Sequence, residues 1–298
     1  MMYRGIEMIE TNKLYLTDVM IGLKSLPAAC IDMIFTSPPY YRLRNYNAVS
    51  VLGGDIDCNH SFNEKDICVK CGAWYGELGH EPHFNDFVKH LSEIFIECKR
   101  VLKNTGSLYI NIGDTYNTDG FLSHSKTSKT KKYNEKNLIS KYRVKDYPNK
   151  SLSLIPHRLA MMLIDNGYIL RNTIIWAKRS AVPESVKDRF SKKHEYVFFF
   201  VKNGKYYFDI NSIKKPYAES SISRIKYKIS DTPSMIDICD RRDKMLNNGG
   251  ANPGDISDFW SVSPSKTAIS NTSGHVARFN IELLKKPILA SCPRVALY

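Results

Sequence analysis

The stretch Ile31-Asp-Met-Ile-Phe-Thr-Ser-Pro-Pro-Tyr-Tyr41 decides how this chain is expected to fold. Its first five residues are mostly apolar, which predicts a short, buried strand of a parallel sheet. Pro38 and Pro39 cannot continue a central strand, because proline lacks the backbone N–H that a ladder requires. The chain must therefore leave the sheet here, and Ser37 lies at the carboxyl end of the strand. Open α/β sheets bind their ligands at this edge.

The turn after this strand suits the binding of a planar amino group. Ser37 offers a hydroxyl, the two prolines leave carbonyls with no competing N–H beside them, and Tyr40 offers an aromatic face. An exocyclic amine of a nucleobase donates two hydrogen bonds, one to Ser37 and one to a proline carbonyl. Both bonds make the nitrogen lone pair more available for attack on an electrophile. An ordinary strand end with a Pro-Pro turn is the alternative interpretation.

The segment Thr36-Ser-Pro-Pro-Tyr40 resembles the catalytic motif of the DNA methyltransferases that methylate exocyclic amines with S-adenosylmethionine. The chain is similar to the prokaryotic and phage branch, in which this motif precedes the cofactor loop. The resemblance covers most of Asn12 to Asp209 and resumes near His275. It is carried further by Asn12–Asp18, Leu108–Tyr116, Ile174–Lys178, His194–Phe200 and Tyr206–Asp209. It implies a Rossmann-like α/β sheet.

The resemblance also implies roles for individual residues. The catalytic turn consists of Ser37, Pro38, Pro39 and Tyr40. The cofactor is expected to contact Asp18, Thr36 and Phe279, although Asn280 stands where the family usually has a proline. The residues expected to contact DNA are Arg42, Arg44, Lys129, Lys131, Lys132 and Trp176.

One element of the family pattern is absent from this sequence. The family continues with a strand, an acidic-Pro-Phe turn and a glycine-rich loop that cradles the methionine part of the cofactor. The chain ends at Tyr298, and no Gly-x-Gly occurs among its sixteen glycines. We therefore expect a truncated, frame-shifted or split enzyme with an incomplete sheet, and a second, complementing chain as a partner. The catalytic strand would then be an unpaired edge.

Cys58, His60, Cys68 and Cys71 place four metal-ligand side chains within fourteen positions. The last two have the Cys-x2-Cys spacing of zinc knuckles, and Gly72 follows them. Since all four positions are ligands, we expect structural Zn²⁺ in an insertion at 58–71. The alternative is a loop with free cysteines.

The composition favours a polyanionic partner. Lys and Arg number 43 against 30 Asp and Glu, which gives a net charge of +13. Such a surplus favours double-stranded DNA through counterion release, although a Lys-rich proteome bias gives the same composition. No apolar run is long enough to span a membrane, so no membrane span is expected, and residues 1–11 lack the apolar core of a signal peptide. The seven cysteines, an odd number, fit a reducing cytoplasm.

Periodicity and turn residues predict the remaining elements and the domains. The expected catalytic core is 1–210, with a basic loop at 117–150. The segment 211–262 is the expected target-recognition region, and 263–298 returns to the core. The predicted strands and helices are Asn12–Leu16 (strand), Val19–Leu26 (helix), Phe84–Leu102 (helix), Leu108–Ile112 (strand), Ser153–Asn166 (helix), Tyr168–Trp176 (strand), a hairpin of Glu195–Lys202 with Lys205–Phe208, and Ala277–Leu289 (helix).

Three functional hypotheses follow from the sequence. The first is a site-specific DNA amino-methyltransferase of a restriction-modification or phage system, acting on a base extruded from the duplex. Ser37 at the head of the motif, where an acidic residue is the alternative, favours cytosine N4 over adenine N6. The second is a non-catalytic, zinc-containing DNA-binding module. The third is an RNA or protein methyltransferase that uses the same turn.

Overall fold

The computed structural model describes residues 10–55, 57–118, 143–181, 183–220, 223, 258–264 and 280–293. The described helices are α1 (Val19–Ser25), α2 (Phe84–Val101), α3 (Ile155–Asp165) and α4 (Glu282–Ser291). The described strands are β1 (Ile31–Thr36), β2 (Val49–Leu52), β3 (Trp74–Glu77), β4 (Leu102–Ile112), β5 (Ile169–Lys178), β6 (His194–Val201) and β7 (Phe259–Val262).

Five of these strands form one mixed sheet in the order β1-β4-β6-β5-β7, and β2 pairs with β3 separately. β1 is parallel to β4, with Met33 opposite Ser107 and Thr36 opposite Ile110. β6 is antiparallel to both of its neighbours. The predicted parallel strand is therefore confirmed, and the expectation that it is buried is met only in part. All six residues of β1 are only half-buried, because β1 is the edge of the described sheet.

Alternate residues of the central strands build a core on each face of the sheet. On one face, Leu108 and Phe198 pack beneath α2 and α3, which contribute Phe87 and Leu159. On the other face, Tyr109, Phe199 and Trp176 pack with Leu283 of α4. This alternation follows from the two-residue period of a strand. The fold is the α/β sheet, covered by helices on both faces, that the sequence predicts.

The three predicted helices that lie wholly among the described residues are confirmed. α2 buries the predicted apolar stripe, and Phe87, Val88 and Leu91 are each at most 1% exposed. α3 carries Pro156 in its first turn and ends before Gly167, whose positive φ of 78° is favourable for glycine. Of the predicted helix Ala277–Leu289, the described part forms α4, which begins at Glu282. The side chain of Asn280 accepts a hydrogen bond from the Glu282 amide, and residues 277–279 lie outside the described ranges.

Two strand predictions are wrong. Asn12–Leu16 is not a strand, and Leu14 and Leu16 are fully exposed. An alternating pattern forms a strand only where a neighbouring strand supplies hydrogen bonds, and no strand within the described ranges pairs with Asn12–Leu16. Lys205–Phe208 does not form a hairpin with β6, because β4 and β5 already occupy both edges of β6. The segment instead crosses to the amino-terminal part of β4, where the Tyr207 amide donates to the Thr105 carbonyl at 3.1 Å.

Most of the basic loop and of the expected recognition region lies outside the described residues, and so do Lys129, Lys131, Lys132 and Phe279. Among the helices that are described, none combines the length and apolar character needed to cross a membrane.

Candidate active site

The Ser37 turn lies where the sequence places it, directly after β1 and beside the end of β4. β1 ends at Thr36, and the parallel β4 ends at Ile112. The ring of Tyr40 packs against the backbone of Gly113. A Cβ at Gly113 would lie 2.7 Å from Cε2 of Tyr40, so a larger residue would displace the ring. The exits of these two strands therefore form one wall of the candidate site.

Polar side chains from three strands hold the hydroxyl of Tyr40. It donates to Oε2 of Glu195 at 2.6 Å, and Oδ1 of Asn111 lies 3.2 Å away. Asn111 donates in turn to Glu195 Oε2 at 3.2 Å, and Lys178 pairs with the other carboxylate oxygen of Glu195. Burial, and then the negative charge of Glu195, hold the pKa of Tyr40 well above its ordinary value. Oγ of Ser37 lies 3.5 Å from this hydroxyl, so the network reaches the catalytic turn.

Sequence analysis did not identify Asn111, Lys178 or Glu195 as site residues. The available signal was a polar side chain within an otherwise apolar strand. Asn111 is 1% exposed in β4, and the side chain of Glu195 is 12% exposed in β6. Buried polar groups need partners, so each marks a network formed with a distant segment.

A cavity of about 210 Å³ adjoins the catalytic turn. Its lining residues are Ser37, Pro39, Tyr46, Ala48, Glu77 and Leu78. Glu77 is 6% exposed, and its carboxylate accepts hydrogen bonds from the Tyr46 amide at 2.6 Å and the Ala48 amide at 3.2 Å. This carboxylate therefore fixes the loop that faces Ser37 across the cavity.

Two of the residues that were expected to contact DNA, Arg42 and Trp176, have internal hydrogen-bond partners. Arg42 donates to the carbonyl of Pro82 at 2.6 Å, and its guanidinium lies 4.9 Å from the ring of Tyr41. Nη1 of Arg44 is buried. Trp176 is 4% exposed, and its indole N–H donates to the Val262 carbonyl at 2.9 Å. In this conformation the Trp176 ring packs in the core and is not available to DNA.

The residues assigned to the cofactor do not enclose a site by themselves. The carboxylate of Asp18 caps α1 by accepting from the amides of Met20 at 2.9 Å and Ile21 at 3.3 Å. Thr36 is half-buried at the end of β1. A cofactor at this edge would have the exit of β1 on one side. Its contacts with Asp18 and Thr36 stay a prediction.

A second polar group lies at the exit of β4. Oδ1 of Asp114 accepts from the amides of Thr115 at 2.9 Å and Ile155 at 3.1 Å, so it joins the end of β4 to the start of α3. Burial raises the pKa of this carboxyl above its ordinary value. A cleft of about 960 Å³ begins at Asp114 and is lined by basic side chains. Two of these side chains are neutralised by the ion pairs Lys150–Asp188 and Arg189–Glu184.

The four predicted metal ligands come together. One donor atom from each of Cys58, His60, Cys68 and Cys71 lies within 4.8 Å of the others. The Cys58 and Cys68 sulfurs are 4.0 Å apart, close to the roughly 3.8 Å expected between two thiolates on a tetrahedral Zn²⁺ with bonds of about 2.3 Å. Sγ of Cys71 lies 3.3 Å from Nδ1 of His60. The donor set and its geometry fit a closed, four-ligand metal site.

Electrostatics at Cys68 favour a thiolate. Burial alone would oppose ionisation of this thiol. The backbone amides of Cys71, Ser61 and Lys70, together with the His60 side chain, outweigh burial and lower the pKa of Cys68, whereas burial and the neighbouring Cys71 and Cys68 side chains raise the pKa of Cys58. A thiolate is the form of cysteine that binds metals.

Comparison with known proteins supports one family. The model of the DNA methylase family, N6_N4_Mtase, matches residues 31–295. The type II methyltransferase M.SmaI of Serratia marcescens is 32% identical over 225 residues, which cover 73% of this chain and 66% of M.SmaI. M.Cfr9I of Citrobacter freundii is 35% identical over 216 residues, which cover 70% of this chain and 61% of M.Cfr9I. This chain thus spans about two thirds or less of these relatives.

A solved structure supports the same fold. The cytosine-N4-specific PvuII DNA methyltransferase superposes with a TM-score of 0.52 at 17% identity, over 94% of this chain and 70% of that chain. From the family match over 31–295 and the relatives above 30% identity, the chain belongs to the N6_N4_Mtase family of DNA methylases.

Proposed function

We propose that the chain carries the catalytic part of a site-specific DNA methyltransferase that methylates cytosine at N4 with S-adenosylmethionine. The observation that supports this most directly is the cavity bounded by Ser37 and Pro39 at the carboxyl end of β1. Its volume of about 210 Å³ suffices for a single base, and a duplex base must be extruded to enter such a site. The matched type II methyltransferases suggest a restriction-modification role.

In this proposal Ser37 acts directly on the target amine. Bound S-adenosylmethionine supplies an electrophilic methyl group. The Ser37 hydroxyl accepts one N–H of the amine, and a proline carbonyl of the same turn accepts the other. These contacts would orient the nitrogen lone pair. As the N–C bond forms, the bond between the methyl carbon and the sulfonium sulfur would break and leave S-adenosylhomocysteine, and the amine would release one proton along its hydrogen bond to the Ser37 hydroxyl and on to water. The hydrogen bonds that the Tyr40 hydroxyl makes to Glu195 and Asn111 hold the tyrosine ring in place, and this fixes the conformation of the turn.

The choice of cytosine N4 rests on Ser37, since the alternative at this position is an acidic residue. Adenine N6 is the second candidate. It is favoured by 32% identity over 93 residues to the DNA adenine methyltransferase YhdJ of Escherichia coli, which covers 31% of this chain. Methyl transfer from labelled cofactor to DNA, followed by digestion to nucleosides and mass analysis, distinguishes the two. Recovery of methyladenine without methylcytosine would contradict the N4 proposal.

A structural zinc ion at Cys58, His60, Cys68 and Cys71 is a further part of the proposal. The four donor atoms within 4.8 Å support it, and four protein ligands leave no open position for catalysis by the metal. A zinc-containing DNA-binding module without catalysis has the same metal site. Such a module would bind DNA and metal but would not transfer a methyl group.

We also propose that a further strand, from the same polypeptide or from a complementing chain, pairs with β1. The half-buried residues of β1 and its edge position in the described sheet support this. An open, largely apolar strand edge is a template for pairing. Target recognition by 211–262 and phosphate contacts by Lys129, Lys131 and Lys132 complete the proposal.

A further inference from the structure

The Cys58–Cys71 insertion leads directly into the wall of the catalytic cavity. β3 begins at Trp74, three residues after Cys71, and ends at Glu77, which lines the cavity. A strand of this length spans about 10 Å. The metal cluster and the cavity are therefore at opposite ends of one short strand.

The cluster also fixes the strand that pairs with β3. Gly54, two residues after β2, packs so closely that a Cβ there would lie 2.8 Å from Sγ of Cys71 and 2.6 Å from Cβ of Ala73. β2 then runs antiparallel to β3, and Val49 lies opposite Glu77. Both strands of this pair therefore depend on the same cysteine-containing turn at one end.

At the carboxyl end of β3, the Glu77 side chain joins this strand to the loop that precedes β2. Its carboxylate holds the amides of Tyr46 and Ala48, and both residues line the cavity opposite Ser37. Within the described residues, Glu77 makes no salt bridge with Lys or Arg, and His80 Nε2 lies 3.8 Å from it. The hydrogen bonds of the Glu77 carboxylate to these two amides therefore fix the conformation of the loop.

We propose that metal binding at Cys58, His60, Cys68 and Cys71 shapes the target-base cavity, with Glu77 as the positioning residue that joins the two. The inference rests on the proposed function only in identifying the occupant of the cavity as a base. The metal holds the turn at 68–73, the turn fixes β3, and Glu77 fixes the loop 43–48. Loss of metal should therefore loosen the cavity wall without unfolding the main sheet.

Hydrogen exchange of the 298-residue protein tests this coupling. With zinc bound, peptides covering 43–48 should exchange slowly. After chelation, exchange in 43–48 and in 58–77 should rise at least tenfold, whereas exchange in α3 should not change. Faster exchange in 58–77 with unchanged exchange in 43–48 would overturn the inference, and so would a protein that binds no metal.

Two variants keep the test decisive if chelation unfolds the whole chain. Glu77→Ala should retain one zinc per chain while 43–48 exchanges at least tenfold faster. Glu64→Ala, an exposed carboxylate of the same insertion, is the matched control and should leave 43–48 unchanged. Slow exchange of 43–48 in Glu77→Ala would overturn the inference. Because the readout needs no catalysis, failure to methylate DNA would contradict the proposed function and leave this coupling intact.

Discussion

The hydroxyl of Tyr40 lies 2.6 Å from Oε2 of Glu195, although 155 positions separate the two residues in the sequence. The contact joins the catalytic turn at the edge of the sheet to β6 near its centre. Lys178 of β5 pairs with the same carboxylate, so residues of three segments hold one tyrosine. This network gives Tyr40 a fixed orientation, whereas the sequence alone indicated only an aromatic face.

We expect Tyr40→Phe to destabilise the protein by about 0.5–1.5 kcal/mol, because one hydrogen bond is lost while Glu195 keeps Lys178 and Asn111 as partners. Glu195→Ala should cost more, since it leaves both Tyr40 and Lys178 without their shared acceptor. Urea unfolding of the two variants provides the measurement. A smaller effect for Glu195→Ala than for Tyr40→Phe would contradict the network.

Ser37→Ala should lower the turnover number for DNA methylation far more than it weakens DNA binding, in a preparation that methylates DNA. The hydroxyl acts on the amine in the transition state, so its loss should affect kcat. Tyr40→Ala should instead weaken the hold on the extruded base, by about 1–3 kcal/mol if the ring stacks on it. Steady-state kinetics and DNA affinity separate these effects. Turnover at the wild-type level in Ser37→Ala would remove Ser37 from the mechanism.

Purified protein should contain about one zinc ion per chain. The double substitution Cys68→Ser with Cys71→Ser should abolish zinc binding, because it removes two of the four ligands. Cys30→Ser is a suitable control, since Cys30 lies outside the cluster. Elemental analysis after dialysis gives the ratio directly. An equal zinc content in the double variant and the control would refute the site.

Asp114→Asn should stabilise the protein at pH 7 and have little effect in acid. Burial raises the pKa of the Asp114 carboxyl in the folded protein above its ordinary value of 3.8. The protonated carboxyl therefore contributes to folding stability below pH 3.8, and this contribution is lost as the pH rises through the folded-state pKa. Asparagine keeps an acceptor for the Ile155 amide and carries no charge to bury. Unfolding curves at pH 7 and near pH 4 test this. A variant less stable than the wild type at pH 7 would show that the charge is favourable.

DNA affinity should fall steeply with salt concentration, and substitution of Lys129, Lys131 and Lys132 by alanine should flatten that dependence. Each lost phosphate contact should reduce the slope of log K against log salt by about 0.9. The matched control replaces three exposed lysines of the helices, Lys24, Lys89 and Lys285. Equal slopes for both triple variants would mean that the basic loop does not bind phosphate.

The sequence predicts local features of this fold well. The apolar stripe of α2 and the Pro-Pro turn after β1 each depend on residues within one segment, and the structure confirms both. The convergence of Cys58, His60, Cys68 and Cys71 was predictable for the same reason, since the four side chains lie within fourteen positions.

Features that depend on strand order were not predictable in this way. Lys205–Phe208 has the pattern of a hairpin strand, but both edges of β6 are occupied by strands distant in sequence. The role of Glu195 depends on the register of β6 with β4, which places Asn111 opposite Val197 and close to the carboxylate. Trp176 was expected at the DNA surface, yet the packing of β7 buries it.

The central position of β6 has a consequence for how the ribosome-bound chain folds. β1 and β4 are complete once residue 112 has emerged, and β5 once residue 178 has emerged, but these two parts are not neighbours in the described sheet, whose strand order is β1-β4-β6-β5-β7. In the part of the sheet that the structure describes, the strand between them is β6, which ends at Val201. Pairings between segments so distant in sequence form slowly. Two thirds of the chain must therefore be synthesised before the sheet can become continuous, and until then the nascent protein exposes to chaperones the edges of β4 and β5 that β6 later covers.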